Sequence, residues 1–285
     1  MVVDDERVVE LSEATAHIAH SARSDAGRVR RVNEDAMLAA APVYLVADGM
    51  GGHARGDAAS RTVVETFTRH IERGTTSTPE RVLDAIHTAN DGVRALSGLG
   101  EEGTAVAGTT LVGVALVDTG DGASFHWMVF NIGDSRIYGW DGRRLAQLSV
   151  DHSAVQELVD AGVIRPEEAE RHPERNVITR ALGADDVVDP DIWLIPAEGR
   201  QVFLICSDGL TKELSDESIA AILAGDAEHP AGMAGRLVEA AIEHGGRDNV
   251  TAVVVESTIG EADDAETTRD RRIEDTRPRP ESGEG

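Results

Sequence analysis

Residues 43–52 read VYLVADGMGG, an apolar run of strand length that ends directly in Asp48-Gly49. The same arrangement recurs at residues 202–209, VFLICSDG, where a second apolar run leads into Asp208-Gly209. Short, nearly continuous apolar runs rich in β-branched and aromatic residues are typical of strands that are buried on both faces. The sequence therefore predicts two buried strands, each of which delivers an aspartate and a glycine at its end.

Two further aspartates stand beside predicted strands. Asp134 follows the run 125–132, in the segment NIGDSR, and Asp248 comes shortly before the run 250–255. A single Asp-Gly is most simply a turn. A carboxylate at the edge of a buried strand, however, loses water and needs a cation or several hydrogen-bond donors to stay charged. Four such carboxylates predict a shared site for divalent metal ions.

The ligand types indicate which ions this site would bind. Carboxylate and carbonyl oxygens prefer hard cations, so we expect Mn²⁺ or Mg²⁺ before zinc or copper. Gly49 has no Cβ, so its backbone carbonyl can approach a metal directly. Upstream, the segment GRVRRVNED at residues 27–35 places arginines, including Arg30, beside Glu34. A guanidinium can hold a phosphoryl group through two parallel hydrogen bonds, so the cluster could supply the other half of a phosphate site.

The rest of the chain predicts a mixed fold. Apolar residues at helical spacing predict amphipathic helices after Pro79 and after Pro230, and a less regular helix over residues 56–73. Short Gly/Asp turns between the strands of residues 109–148 favour antiparallel hairpins, and hence stacked antiparallel sheets with helices outside. Residues 151–181 turn polar and helical and predict an insertion beside the sheets. The predicted strands are 43–47, 109–117, 125–132, 136–140, 202–206 and 250–255.

Bulk properties narrow the function further. The formal net charge of −25 argues against nucleic acid and anionic membranes as partners, because both would repel the chain. A single cysteine, no leader-like start and no apolar run of membrane-spanning length predict a cytoplasmic protein, which we expect to be a monomer. Residues 259–285 are nearly devoid of apolar side chains, so we expect a disordered charged tail after a catalytic domain of residues 1–258.

Taken together and in order, these motifs resemble the type 2C family of metal-dependent protein Ser/Thr phosphatases, especially its bacterial members. The resemblance spans about residues 25–255 and implies an α+β fold, a four-layer α-β-β-α sandwich of two antiparallel sheets flanked by helix pairs, with a flap over residues 151–181. The matching segments are RRVNED (30–35), VADGMGGH (46–53), GTT (108–110), NIGDSR (131–136), DHS (151–153), ITRALG (178–183), SDGL (207–210) and DNVT (248–251).

The resemblance also implies roles for individual residues. Asp48 would bridge two metal ions, the Gly49 carbonyl would bind one of them, and Asp208 with Asp248 would hold the other. Asp134 together with Asp208 would bind a weaker third ion.

On the substrate side, the resemblance implies that Glu34 binds metal-coordinated water and that Arg30 grips the substrate phosphate. Met50 stands where eukaryotic members carry a histidine. The implied partners are phosphorylated proteins and Ser/Thr kinases.

Other classes of protein fit less well. The position six residues after Cys206 is Lys212, whereas a cysteine-dependent phosphatase needs arginine there, and the chain has neither a P-loop nor a kinase catalytic loop. A catalytically inactive phosphoprotein-binding module is the second hypothesis, although all the expected metal positions are present. A scaffold that recruits partners through its acidic tail is the third, but it would not explain the aspartates. Among enzymes of this fold, Arg30 and the insertion favour a kinase-opposing phosphatase over one that acts on anti-sigma antagonist proteins.

Overall fold

The computed structural model describes residues 2–11, 14–50, 55–100, 103–105, 107–120, 125–169, 171–225 and 232–261. In these residues the strands are β1 (Val2–Glu10), β2 (Ala14–Asp25), β3 (Asp35–Ala40), β4 (Val43–Met50), β5 (Gly98–Gly100), β6 (Gly103–Ala105), β7 (Gly108–Thr109), β8 (Leu111–Asp118), β9 (Phe125–Ile132), β10 (Arg136–Trp140), β11 (Leu145–Gln147), β12 (Asp191–Pro196), β13 (Gly199–Cys206) and β14 (Val250–Glu261). The helices are α1 (Arg55–His70), α2 (Pro79–Leu96), α3 (Ala154–Asp160), α4 (Pro166–Ala169), α5 (Asp208–Thr211), α6 (Asp216–Ala224) and α7 (Met233–His244).

Two antiparallel sheets form the centre of the molecule. The first has the strand order β1-β2-β14-β13-β10-β11, and the second has the order β12-β9-β8-β4-β3, with β7 paired to β4. Helices α1 and α2 cover the outer face of the second sheet, while α5, α6 and α7 cover the outer face of the first. The predicted four-layer sandwich is confirmed.

Three apolar cores separate the four layers. Between the sheets, the ring of Trp127 packs against that of Phe203, with centroids 5.5 Å apart. On the helix side of the second sheet, Phe67 of α1 stacks on Phe130 of β9 at 5.8 Å. Successive residues of a central strand point into different cores, which is why the central strands are nearly continuous apolar runs in the sequence.

Helix α2 shows how local sequence specifies an element. The Thr78 side chain accepts a hydrogen bond from the backbone N–H of Arg81 at 3.3 Å, and Pro79 supplies a backbone angle suited to the first turn. Val82 and Ile86, one turn apart, are fully buried against α1 and the sheet. Burying an apolar side chain contributes roughly 1.5–3 kcal/mol, so the packed face stabilises α2 more than helix propensity does.

The sheets differ from the sequence prediction at the turn after β9. This turn does not close a hairpin, because β9 and β10 belong to different sheets. Gly133, at φ +109°, carries the chain from one sheet to the other, and a Cβ there would lie 2.6 Å from Cγ2 of Thr110. The hairpin prediction holds for β8–β9 and β10–β11. Asp134, one of the predicted metal ligands, follows this turn directly.

Several strands were not predicted. β1 and β2 extend the first sheet at one edge, while β3 and β12 form the two edges of the second. The predicted strand 250–255 is the first half of β14, which continues to Glu261, so residues 259–261 belong to a sheet. The rest of the expected tail, residues 262–285, lies outside the described residues.

The expected insertion, residues 151–181, contains α3 and α4 joined by turns. Among the helices of the described residues, none combines the length and the apolar character that crossing a membrane requires.

Candidate active site

The residues that the sequence singles out meet at one end of the sandwich, where β4 ends and where α5 and β14 begin. Backbone hydrogen bonds join the segments that carry them. The Gly49 N–H donates to the carbonyl of Glu34 at 3.1 Å, and the Glu34 N–H donates to Oδ1 of Asn249 at 2.8 Å. The structure brings together at this end all the predicted site residues: Arg30, Glu34, Asp48, Gly49, Asp134, Asp208 and Asp248.

Two glycines allow these segments to approach one another. A Cβ at Gly49 would lie 2.1 Å from the carbonyl oxygen of Gly56 at the start of α1. A Cβ at Gly209 would lie only 1.9 Å from the backbone oxygen of Asn249. Real Cβ atoms are not found at such distances, so both close approaches require glycine. The Asp-Gly pairs thus place an aspartate and a closely packed backbone at the same point.

Asp48 lies at the centre of the negative charge. Burial raises the pKa of its carboxyl group well above the ordinary value, and the charges of Asp35, Asp208, Asp134 and Asp248 raise it further. Its backbone carbonyl accepts a 2.9 Å hydrogen bond from the Thr109 hydroxyl. The backbone of Asp48 is therefore held in place, and its carboxylate lies in surroundings that disfavour the ionised form unless a cation is present.

The carboxyl groups of Asp134 and Asp208 also have raised pKa values. Burial raises the pKa of Asp134 to about 7, with the charge of Asp208 as the next cause. Burial also raises the pKa of Asp208, while Lys212 lowers it. In the described part of the chain, Oδ1 of Asp134 and Oδ1 of Asp208 are both buried without a hydrogen-bond partner. Buried, unpartnered carboxylate oxygens are what a metal ion would satisfy.

Asp35 belongs to the same cluster, although sequence reasoning gave it no role. Its Oδ2 accepts hydrogen bonds from the Ser207 hydroxyl at 2.8 Å and from the Thr251 hydroxyl at 2.7 Å. Burial raises its pKa to about 7, against the effect of these two bonds. Asp35 stands opposite Asp48 across the β3–β4 ladder. It thus ties β3 to the segments that carry the other aspartates.

Two cationic side chains reach the carboxylates. Nη2 of Arg30 lies 3.0 Å from the carboxylate of Asp248. Nζ of Lys212 forms an ion pair with Asp208, one helical turn earlier, and lies 3.5 Å from Oδ2 of Asp248. Sequence reasoning missed Lys212. Two signals could have found it: the i, i+4 spacing from Asp208, and the fact that Lys212 is the only lysine in the chain.

The donor set fits hard divalent cations, because it consists of carboxylates and a backbone carbonyl. In the described residues, no three acidic, histidine or cysteine side chains are grouped closely enough to hold one ion by themselves. Asp208 and Asp248 are instead paired with Lys212 and Arg30. An ion here would therefore complete its coordination with the Gly49 carbonyl or with water, and it would have to displace cationic side chains.

The base of the insertion is anchored beside Asp134. The Gly133 N–H donates to Nδ1 of His152 at 3.0 Å, so the neutral ring carries its proton on Nε2, which lies 3.2 Å from Asp191. Nη2 of Arg136 contacts the carboxylate of Asp151 at 2.6 Å, and Nε contacts it at 3.0 Å. The insertion is thus joined to the turn that positions Asp134.

A cavity of about 660 Å³ opens elsewhere, between the end of α1 and the start of α2. Arg69, Arg73 and Arg81 line it. Gly56, which contacts the site, is at the other end of α1, and a helix of 16 residues is about 24 Å long. This cavity is separate from the carboxylate cluster.

Comparison with known proteins identifies relatives of the chain. The family model described as protein phosphatase 2C matches residues 21–233. The serine/threonine protein phosphatase PstP of Mycobacterium tuberculosis is 37% identical over 246 residues, which cover 86% of this chain and 46% of that protein. The serine/threonine phosphatase stp of Listeria monocytogenes is 33% identical over 254 residues, which cover 83% of this chain and 95% of that protein.

A solved structure agrees with these relatives. The crystal structure of the catalytic domain of PstP in complex with two manganese ions superimposes with a TM-score of 0.74 at 36% identity, over 85% of this chain and 99% of that one. The chain thus spans about half the length of the Mycobacterium tuberculosis protein (46%) but nearly the whole of the solved PstP catalytic domain (99%).

Proposed function

Because this chain belongs to the protein phosphatase 2C family, we propose that it hydrolyses phosphoserine and phosphothreonine in proteins, using divalent metal ions bound at the end of the sandwich. The observation that carries the proposal is the group of carboxylates formed by the buried Asp134 and the partly buried Asp48 and Asp208, beside the guanidinium of Arg30. Carboxylates of this kind attract divalent cations, and cations with a guanidinium attract a phosphoryl group. The two manganese ions named for the PstP catalytic domain support the same chemistry.

The family resemblance, together with the placement of these residues at one end of the sandwich, supports the proposed metal ligands. Asp48, the Gly49 carbonyl, Asp208 and Asp248 would hold two ions, and Asp134 with Asp208 would hold a third, weaker one. Bound ions of this type lower the pKa of coordinated water and neutralise charge that develops on the phosphate. Mn²⁺ is supported by the relative, and Mg²⁺ shares its preference for oxygen ligands.

Arg30 and Glu34 act on the substrate side. Half of the Arg30 side chain is exposed, so its remaining N–H groups can donate to a phosphate that arrives from solvent. Burial raises the pKa of Glu34, while Arg30 lowers it. The backbone of Glu34 is held by Asn249 and by the Ser60 hydroxyl, which donates to its carbonyl at 2.6 Å. A carboxylate fixed in this way can accept a hydrogen bond from the attacking water and orient it.

We propose phosphorylated proteins as the substrates, among them Ser/Thr kinases and their targets, in signal transduction. The insertion is the element best placed to contact them, since Asp151 and His152 join it to the turn beside Asp134. A cytoplasmic location and a monomeric state stay predictions. The free, buried thiol of Cys206 is compatible with a reducing compartment. Phosphoproteomics of a deletion strain and size-exclusion chromatography with light scattering would test these points.

The decisive experiment measures phosphate release from a phosphothreonine peptide. We expect release with Mn²⁺ or Mg²⁺ and none after chelation. Asp208→Asn should lower the rate by about a hundredfold or more, since it removes a charged ligand from the reacting centre. Asp84→Asn, on the exposed face of α2, is the matched control and should keep full activity. Activity that survives chelation or Asp208→Asn would refute the proposal, and peptide binding without phosphate release would favour an inactive binding module.

A further inference from the structure

Lys212 is the only lysine among the 27 lysine and arginine residues of the chain. Every other positive side chain is an arginine, including those in the ion pairs at the surface. This single lysine contacts the carboxylates of both Asp208 and Asp248. An ammonium group is thus used only at the point where the proposed second ion would bind.

The contacts of Lys212 extend beyond an ordinary helical ion pair. Its pairing with Asp208 has the common i, i+4 spacing, but Asp248 comes from a different element, at the start of β14. The Asp208 side chain is only 15% exposed, so its charge is not compensated by bulk water. One ammonium group therefore contacts two carboxylates that belong to separate segments, and it shares Asp248 with Arg30.

A lysine ammonium group is better suited than a guanidinium to being displaced from carboxylates by a metal ion. A guanidinium would hold a carboxylate through two parallel hydrogen bonds in a rigid fork, whereas an ammonium is a compact point charge on a flexible stem. The Lys212 side chain is 38% exposed, so it has access to solvent. Lysine can thus neutralise the carboxylates and still be displaced by an ion that carries two charges.

We propose that Lys212 is a resident counter-ion of the site, which occupies Asp208 and Asp248 until a divalent ion displaces it and which thereby sets the affinity for that ion. The inference rests on the proposed function, because it assigns a metal to these two aspartates. In the metal-free protein the ammonium keeps the carboxylates from repelling one another. On metal loading its release is part of the binding equilibrium, so the measured affinity is weaker than the carboxylates alone would give.

The test compares Lys212→Met with the wild-type protein and with a matched control. Arg200→Met is that control, because Arg200 and Glu256 form an ion pair of similar exposure, 43% and 18%, at the opposite end of β13. Mn²⁺ binding to the chelated proteins is measured by isothermal titration calorimetry. Lys212→Met should tighten binding by about tenfold or more, since a competing charge within contact distance is removed. Arg200→Met should bind as the wild type does.

Stability should change in the opposite direction. Without metal, Lys212→Met removes the cation that pairs with Asp208 and leaves Asp248 with Arg30 alone, so its melting temperature should fall below that of the wild type, and Mn²⁺ should raise it by more. Lys212→Arg, which keeps the charge in a form that holds carboxylates more firmly, should bind Mn²⁺ no more tightly than the wild type. Unchanged or weaker Mn²⁺ binding by Lys212→Met would overturn the inference about Lys212, but it would not contradict the proposed phosphatase function. A wild-type protein that binds no Mn²⁺ would overturn the proposed function itself.

A second measurement uses the wild-type chain and so does not depend on a variant that folds. Reductive methylation with ¹³C-formaldehyde labels only Lys212 and the N-terminal amine, and it preserves the positive charge. During a Mg²⁺ titration the Lys212 methyl resonance should move with the same midpoint as metal binding. A resonance that stays in place while Mg²⁺ binds would show that the ammonium is not displaced.

Discussion

Replacing Gly209 with alanine should destabilise the protein and weaken metal binding, whereas replacing Gly235 should stabilise it. Both glycines lie in helices, Gly209 in α5 and Gly235 in α7, and neither has a positive φ. A Cβ at Gly209 would lie 1.9 Å from the backbone oxygen of Asn249, whereas a Cβ at Gly235 would meet nothing within 4 Å. The pair of substitutions thus separates the effect of a steric clash from the effect of helix propensity.

The structure sets the size of both effects. To accept the new methyl group, α5 and the start of β14 must separate by roughly 1 Å. Overpacking of this kind costs about 1–3 kcal/mol, and we expect the upper part of that range because the opposing atom belongs to the backbone. Asp208 adjoins one side of the contact and Asp248 the other, so their separation changes as well. A shift of this size can cost about a hundredfold in catalytic rate. Gly235→Ala should gain about 0.5–1 kcal/mol.

Urea denaturation of the chelated variants, followed by circular dichroism, measures the free energy of unfolding. Calorimetric titration with Mn²⁺ then measures metal binding, and phosphopeptide hydrolysis measures the rate. If Gly209→Ala unfolds at the urea concentration of the wild type and binds Mn²⁺ equally well, the packing of α5 against β14 does not position the two aspartates. If Gly235→Ala is as damaging as Gly209→Ala, the loss arises from the helices and not from the close approach.

Further predictions concern pH, the inter-sheet core and the C-terminal segment. The free energy of unfolding of the chelated protein should fall as the pH rises through about 7, because burial raises the folded-state pKa of Asp35 and Asp134 to about 7 from 3.8. Urea titrations between pH 5 and 8 should show this fall, and saturating Mn²⁺ should abolish it. Burial lowers the pKa of His20, so that group costs stability as the pH falls below 6.5, the value for an exposed histidine. Neither ring nitrogen of His20 has a hydrogen-bond partner in the described residues. The substitution His20→Leu should therefore raise the free energy of unfolding by about 1 kcal/mol at pH 7 and by more at pH 5.5. An unchanged dependence of this free energy on pH would contradict the prediction. Truncation after Glu261, where β14 ends, should leave phosphopeptide kcat/KM within about twofold of the full chain, and a large loss would show that residues 262–285 take part in catalysis.

Sequence reasoning succeeded where the signal is local. The apolar run before Asp48 predicts a buried strand because the residues on both faces of β4 enter a core, and Leu45 and Val46 do so on opposite sides. The helix after Pro79 is predicted because its cap and its buried face both lie within one short segment. The Asp-Gly pairs indicated which aspartates lie at the ends of buried strands for the same reason, since each strand end and its aspartate are neighbours in the chain.

The sequence by itself thus determined the strands and helices with strong periodicity, the four-layer class of the fold, and the aspartates that group at one end. Only the tertiary structure decided that Gly133 carries the chain from one sheet to the other, that Asp35 accepts hydrogen bonds from Ser207 and Thr251, and that Lys212 reaches Asp248. The physical reason is that periodicity, caps and turns depend on a few adjacent residues. Strand order, burial of a charge and an ion pair between elements depend on groups that are far apart in the chain and meet only when the sheets close.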